Sequence, residues 1–301
     1  MTLDQLRIFV EVAEREHMTR AAENLRRTQS AVSGAIQSLE ARHKVSLFHR
    51  IGRRIELTQE GRFFLEQARA VLRTAEAAEL ALLELRGLKR GLINIHASQT
   101  TGAYWLPERL VHFHSENPDI DIKLSIGNTD QVASAVASGS AEIGFIEGAI
   151  YQPDLLAQQV DLDQLVIVVG TAHPWKRLRR IKNNELTQTK WVLRERGSGT
   201  RSVFEQALLR LDLRPEQLDV TLELPSNEAV IAAVASGAGA TAISRVAVQS
   251  ALLLKSLHVV PFERLERPFV LLRHKDRNLG SAARAFVTMI ENNKKKLSAS
   301  K

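Results

Sequence analysis

The sequence predicts two folded parts joined by one long helix: an N-terminal winged helix-turn-helix and a C-terminal α/β region made of two similar subdomains. Three observations predict this. Residues 28–44, TQSAVSGAIQSLEARHK, form an amphipathic helix directly after a shorter one. The stretch QEGRFFLEQARAVLRTAEAAELALLELRG repeats apolar residues at alternating steps of four and three. From Leu92 onward strand-like runs alternate with helical stretches, the pattern of an α/β sheet.

Leu3, Leu6, Phe9, Val10 and Ala13 give the first helix an apolar stripe, which should pack beneath the next two. In TRAAENLRR, Ala21, Ala22 and Leu25 face inward, and only Arg26 and Arg27 separate this helix from the next. Two helices on so tight a turn make a helix-turn-helix. In the second of them Val32, Ile36 and Leu39 share the inner face, while Gln29, Ser33 and Gln37, with Ser30 beside them, share the outer one. A solvated face usually carries Lys and Glu. Gln and Ser instead suit base edges, Gln bidentate to adenine and Ser to either base of a pair. Thr28 can cap this helix, leaving its first amides free for a phosphate.

The following SLFHRIGRRIELT reads as two short strands around Gly52, with Arg50, Arg53 and Arg54 at the tip. That is a wing, whose arginines would lie on phosphates or enter a minor groove. Gly34 offers no side chain to the outer surface of this helix. It removes a side-chain contact and costs helix stability of about 1 kcal/mol, or else lets the backbone approach a duplex closely.

Thr58 is the expected N-cap of the long helix, where Phe64, Ala68, Val71, Ala75, Ala78, Leu82 and Leu85 form a heptad seam. Spanning residues 59–87, it would be roughly 43 Å long and could not hide that stripe alone. Either a second copy of the helix covers it or it runs through a core; the small alanines favour the close approach of a second copy. Gly87 to Gly91 then read as a hinge.

In the C-terminal part INIHAS, DIKLSI, AEIGFI, QLVIVVG, KWVL, VTLEL, TAIS and FVLLR read as strands of largely parallel sheets. Two echoes suggest that the region is built twice. TDQVASAVASG resembles NEAVIAAVASG, and Ser98-Gln99-Thr100 lies about 100 residues before Ser198-Gly199-Thr200. Each echo places a polar residue where a strand passes into a helix: Ser98 with Thr100, Thr129, Ser198 with Thr200, and Asn227. Ligands of open α/β sheets bind at that edge, and helix N-termini there favour anions. Taken singly each residue could serve only as a cap; together they imply a cleft. Glu147 and Arg201 fall near it, as selectors of a charged ligand or as members of internal ion pairs.

Composition limits the alternatives. The 301 residues are 44% hydrophobic and contain no cysteine, so disulfides and thiol chemistry are excluded. The N-terminus lacks a signal-type segment and no apolar run approaches a membrane span, so a cytoplasmic protein without membrane contact is expected. The net charge is +7; residues 1–58 hold roughly +3 and the tail 294–301 roughly +4, leaving the region between near neutral. The tail is expected to be disordered and to act by nonspecific electrostatics. His112 and His114 do not share a helix face, His96 is isolated, and no phosphate-loop or nucleophile-elbow motif occurs, so neither a metal site, a cofactor nor an enzyme is expected. A secreted binder or a purely architectural DNA protein fits less well, the first for want of a signal segment and the second because it needs no two-lobed pocket.

The whole chain resembles LysR-type transcriptional regulators. The resemblance rests on RAAENLRRTQSAVSGAIQSLE with SLFHRIGRRIELTQEG, on ASQTTGAYWLPERLVHFHSENPDI, and on HPWKR followed by LRERGSGTR; GSGTR is similar to the branch that regulates carbon fixation and sulfur assimilation. It implies a DNA-binding domain over 1–58, a linker helix over 59–87, a hinge at 88–91, an effector domain over 92–293 resembling periplasmic binding proteins, and a basic tail. One subdomain would hold about 92–160 and 269–293, the other about 165–262. The resemblance further implies a dimer of dimers on promoter DNA with a dyad site and a small effector, which the helix N-termini at the sheet edge suggest is anionic, and it allows RNA polymerase as a further partner. It assigns DNA contact to Gln29, Ser30, Ser33, Gln37, Arg50, Arg53 and Arg54, to which the capping position adds Thr28. To the effector cleft it assigns Ser98, Thr100, Thr101, Thr129, Ser198, Gly199, Thr200 and Asn227.

Overall fold

A computed structural model describes residues 1–51, 54–84 and 91–299. The chain forms two compact units, residues 1–88 with 138–140 and residues 89–137 with 141–301.

In the first unit α1 (Leu3–Arg15), α2 (Met18–Asn24) and α3 (Gln29–His43) enclose Leu6, Phe9, Val12, Ala21, Ala22, Val32, Ile36 and Leu39. The turn between α2 and α3 puts Arg26 at φ 53°, a left-handed residue that reverses the chain within four residues. Strands β1 (Phe48–Ile51) and β2 (Arg54–Leu57) pair antiparallel, with Ile51 opposite Arg54.

Thr58 is buried: its Oγ1 accepts from the Gly61 amide at 2.8 Å and donates to the Ser46 carbonyl at 2.8 Å. It thereby starts α4 (Gln59–Glu84) and ties it to the chain before the wing. The heptad stripe divides along this helix. Phe64 and Ala68 pack into the core of their own unit, Phe64 at 4.9 Å from the Phe9 ring, whereas Val71 and Ala78 are exposed. Leu85 and the hinge residues 87–90 lie outside the described residues, and Gly91 is already the first residue of a strand.

The second unit is built on an eight-stranded sheet of order β4-β3-β5-β10-β6-β9-β7-β8. On one side are β3 (Gly91–Ser98), β4 (Ile120–Gly127) and β5 (Ile143–Glu147), with α5 (Leu106–Glu116) and α6 (Thr129–Ser138) between them. On the other are β7 (Lys190–Arg194), β8 (Asp219–Leu224) and β9 (Ala240–Ser244), with α7 (Gly199–Arg210), α8 (Asn227–Ala235) and α9 (Arg245–Leu253). Each side is parallel within itself. The sheet as a whole is mixed, because β6 (Leu155–Gly170) and β10 (Leu257–His274) run antiparallel through its centre.

These two strands extend well before QLVIVVG and FVLLR. Their first halves, LLAQQVDLD and LHVVPFERLE, carry charge that masks the alternation, yet the pairing continues through them with two register shifts, between Val260 and Leu265 and between Phe269 and Val270. Val160, Phe269 and Leu271 belong to one core with Ile93, Trp105 and Phe286, while Leu165, Ile167 and Leu265 belong to another with Trp191 and Phe204. The central pair therefore crosses from lobe to lobe.

Helix α10 (Ser281–Ala299) includes most of the basic tail, contrary to the expected disorder. Lys, Leu and Ala are good helix formers, and extending a helix already anchored by Ala283 and Phe286 needs no new nucleation.

Candidate functional sites

In the helix-turn-helix the inward residues of α3 are Val32, Ile36 and Leu39, so Gln29, Ser30 and Gln37 stand exposed and Ser33 half-buried on the face they leave free. Thr28 is exposed and caps α3, accepting from the Ala31 amide at 3.2 Å, with its hydroxyl 3.1 Å from that of Ser30. A Cβ built on Gly34 meets no protein atom within 4 Å, so nothing inside this chain requires glycine there. Arg27 is held by Asp4 at 2.7 Å. Arg50 and Arg54 lie in the wing strands. Arg53 and Gly52 lie outside the described residues.

In the second unit the predicted cleft residues gather around a buried ionic centre. Arg267, 1% exposed, reaches Asp163 through Nε and Nη2 at 2.7 Å, donates from Nη1 to Thr200 Oγ1 at 3.0 Å, and lies 3.8 Å from Glu147. Asp163 also accepts from Ser244 at 2.7 Å. Arg267 Nη2 has no well-aligned hydrogen bond, so its contact with the two carboxylates is mainly electrostatic. Burial alone pushes the Glu147 carboxyl up, but the Arg267 charge and the hydroxyls of Ser98 and Thr100 outweigh it and hold the group below its ordinary value. Glu147 is thus an ionised, acceptor-only group.

On one side of this centre a cleft of about 250 Å³ opens, lined by Thr129, Glu147, Ser198 and Gly199 together with Arg196 and Arg201. Asn128, not Thr129, caps α6, accepting from the Gln131 amide at 3.0 Å. Thr129 is left to bridge the lobes: its hydroxyl accepts from the Gly199 amide at 3.1 Å and donates to Glu147 at 3.5 Å. Ser198 begins α7 without a side-chain capping bond. Glycine at 199 follows from space, since a Cβ there would sit 2.5 Å from the Glu147 carbonyl oxygen and 2.7 Å from Thr129 Oγ1.

On the other side the lobes are already joined. The Asn227 amide donates to Gln99 Oε1 at 2.7 Å, Asn227 Nδ2 donates to Thr100 at 3.2 Å, and Arg194 Nη1 donates to Asn227 Oδ1 at 2.7 Å. The cap of α8 is Ser226 rather than Asn227, which frees the amide side chain for this contact. Thr101 is consumed within its own lobe, 2.8 Å from the Ser98 hydroxyl and 3.0 Å from the Phe145 carbonyl. Arg201 is held by Glu205 and Glu223, so it selects no ligand unless those pairs open.

Arg267, Asp163 and Arg194 escaped sequence reasoning. The alternation Asp163, Leu165, Ile167, Val169 and its counterpart Leu265, Arg267, Phe269, Leu271 place both charges on buried faces, a signal hidden while the two strands were read short.

A winged helix-turn-helix followed in one chain by a two-lobed cleft domain defines a regulator that binds DNA and senses a small molecule. Two family models match: "Bacterial regulatory helix-turn-helix protein, lysR family" over residues 3–62 and "LysR substrate binding domain" over residues 86–294. The chain belongs to the LysR family of transcriptional regulators. It is 34% identical over 289 residues to the uncharacterized HTH-type transcriptional regulator YeiE of Escherichia coli, covering 95% of this chain and 96% of that one. It is 32% identical over 292 residues to a probable RuBisCO transcriptional regulator of Nostoc, covering 95% and 86%. In fold it is similar to CbnR complexed with its target DNA, with TM-score 0.74, 22% identity, and coverage of 97% and 99%. It is also similar to the CcmR regulatory domain of Synechocystis in complex with 2-PG, with TM-score 0.63, 22% identity, and coverage of 68% and 98%. Among the described residues no helix is long and apolar enough to cross a membrane.

Proposed function

We propose that this regulator reads dyad promoter DNA with the Gln29, Ser30, Ser33 and Gln37 face of α3. Thr28 and the wing arginines Arg50, Arg53 and Arg54 take phosphates, and two copies of the chain pair through the exposed part of the α4 stripe, two such dimers making the tetramer. RNA polymerase is the partner through which binding changes transcription. The effector is a small anion held in the 250 Å³ cleft.

One observation carries the effector reading: the starts of α6 and α7 meet across the cleft through Thr129 and Gly199, beside the ionised Glu147. Helix N-termini favour negative charge, whereas Glu147 accepts only donors. The ligand that satisfies both carries an anionic group and at least one hydroxyl, ammonium or acidic proton, as a hydroxy acid or a protonated oxyanion does. Binding there changes the angle between the lobes.

Selection of genomic fragments by the purified chain, followed by footprinting with and without candidate anions, tests both parts. A dyad footprint altered by one anion supports the reading; diffuse binding without a preferred site overturns the DNA part. The double substitution Gln29→Ala and Ser33→Ala is expected to lose sequence preference while folding within about 0.5 kcal/mol of the parent. Unchanged selectivity would remove α3 from the reading head.

A further inference from the structure

The segment entering β7 holds a concentration of charge that the cleft does not use. Five of the seven residues from Lys176 to Lys182 are Lys or Arg, in a region (92–293) whose net charge is otherwise roughly −6. The apolar residues among them turn inward at every third position. Trp175 and Ile181 are buried and Leu178 packs against the same core, leaving Lys176, Arg177, Arg179, Arg180 and Lys182 exposed.

The backbone is pinned along its length. The His173 amide donates to the Gly170 carbonyl at 3.2 Å, Leu178 to Trp175 at 3.0 Å, and Ile181 to Pro261 on β10 at 3.0 Å. His173 is itself fixed, with its ring 2.9 Å from the Thr189 hydroxyl and accepting from the Trp175 amide at 3.1 Å. Among the described residues Lys176, Arg177, Arg179 and Arg180 form no ion pair, although Glu185 follows three residues after Lys182. Glu185 instead accepts from the Lys182 backbone amide at 2.6 Å. The cations therefore stand on a fixed backbone as a ridge without ion-pair partners among the described residues.

We propose that this ridge binds the phosphate backbone of duplex DNA outside the sequence read by α3. With every apolar side chain of the segment turned inward, the ridge offers charge and hydrogen-bond donors without an apolar anchor. A protein partner's interface is built around buried aromatic and aliphatic groups, and a membrane surface takes inserted apolar ones; a polyphosphate strand needs neither. The inference rests on the family's DNA-binding activity, and it adds a second, sequence-independent contact in the effector domain that lengthens the DNA engaged.

The test uses the full chain with Lys176, Arg177, Arg179 and Arg180 all changed to Gln, on a short duplex limited to the dyad site and on the same site with long flanks. Each lost phosphate contact lowers the slope of log K against log salt by about 0.9. On the long duplex the parent should lose up to about a hundredfold more affinity than the variant between roughly 50 and 200 mM salt, and its footprint should be longer. On the short duplex the two should coincide. Equal slopes and footprints on the long duplex overturn the proposal, even if the variant recruits polymerase less well, since that outcome assigns the ridge to a protein. Failure of the parent to prefer any site would overturn the DNA reading of α3 and this extension with it, whereas equal slopes alone leave α3 untouched.

Discussion

Replacing Arg267 by methionine tests the ionic centre beneath the cleft most directly. The guanidinium lies between two buried carboxylates, Asp163 at 2.7 Å and Glu147 at 3.8 Å, and donates to Thr200 at 3.0 Å. Methionine fills much of the volume but strands both acids, with Asp163 keeping its bond from Ser244 at 2.7 Å. Removing one member of a buried ion pair costs about 3–5 kcal/mol, and with two acids left behind the loss belongs in the upper half of that range.

The penalty should depend on pH in a definite sense. In the parent, burial opposes the ionised form of Glu147, and Arg267 together with the hydrogen bonds outweighs it, so the carboxyl sits below its ordinary value. That stability is present above the unfolded carboxylate range and is lost as pH falls through the folded value. Without Arg267 the largest influence favouring the ionised form is gone, burial is opposed by hydrogen bonds alone, and the carboxyl moves up. Acid then relieves the variant, and its deficit shrinks from about pH 8 to about pH 5. Trp105, Trp175 and Trp191 all lie in the second unit, so their fluorescence during urea unfolding reports on that unit alone. A deficit below about 1 kcal/mol, or one that is equal at both pH values, would refute the assignment of Arg267 as the charge that holds Glu147 ionised.

Two further substitutions probe the remaining contacts. Gly199→Ala should push apart the lobes at Thr129 and the Glu147 carbonyl, costing about 1–3 kcal/mol in thermal unfolding and abolishing the effect of an anion on the footprint; a fully responsive variant would show that the ligand binds elsewhere. Thr58→Ala removes an acceptor for Gly61 and a donor to Ser46, both at 2.8 Å, and should lower the stability of the first unit by about 1–2 kcal/mol, read by circular dichroism. Serine at the same position should restore most of the loss, because it keeps the hydroxyl.

The helices of the first unit were legible because their signals are local. Thr28 ahead of Val32, Ile36 and Leu39 fixes both the start and the inner face of α3, and the outer face follows by subtraction. All eight strands of the second unit were legible for the same reason, but the lengths of β6 and β10 were not. Charged residues on buried faces look like chain ends until a partner strand is seen to satisfy them. Ser198 and Thr129 were placed at helix starts correctly, yet the cap of α6 is Asn128 and that of α8 is Ser226, a shift of one residue that decides which side chain is free to face a ligand.

The sequence by itself determined the order of the parts, the inner and outer faces of α3, the β1–β2 hairpin, and the hydroxyl-bearing turns at the sheet edge, since each depends on residues within a few turns of one another. Only the tertiary structure decided which of those turns form an open cleft and which form a closed contact. Glu147, Asp163, Thr200 and Arg267 come from β5, β6, α7 and β10, and they meet because two long strands cross between the lobes. Their charges are tolerable in a buried place only as a set, and no local pattern in the chain encodes a set assembled across 120 residues.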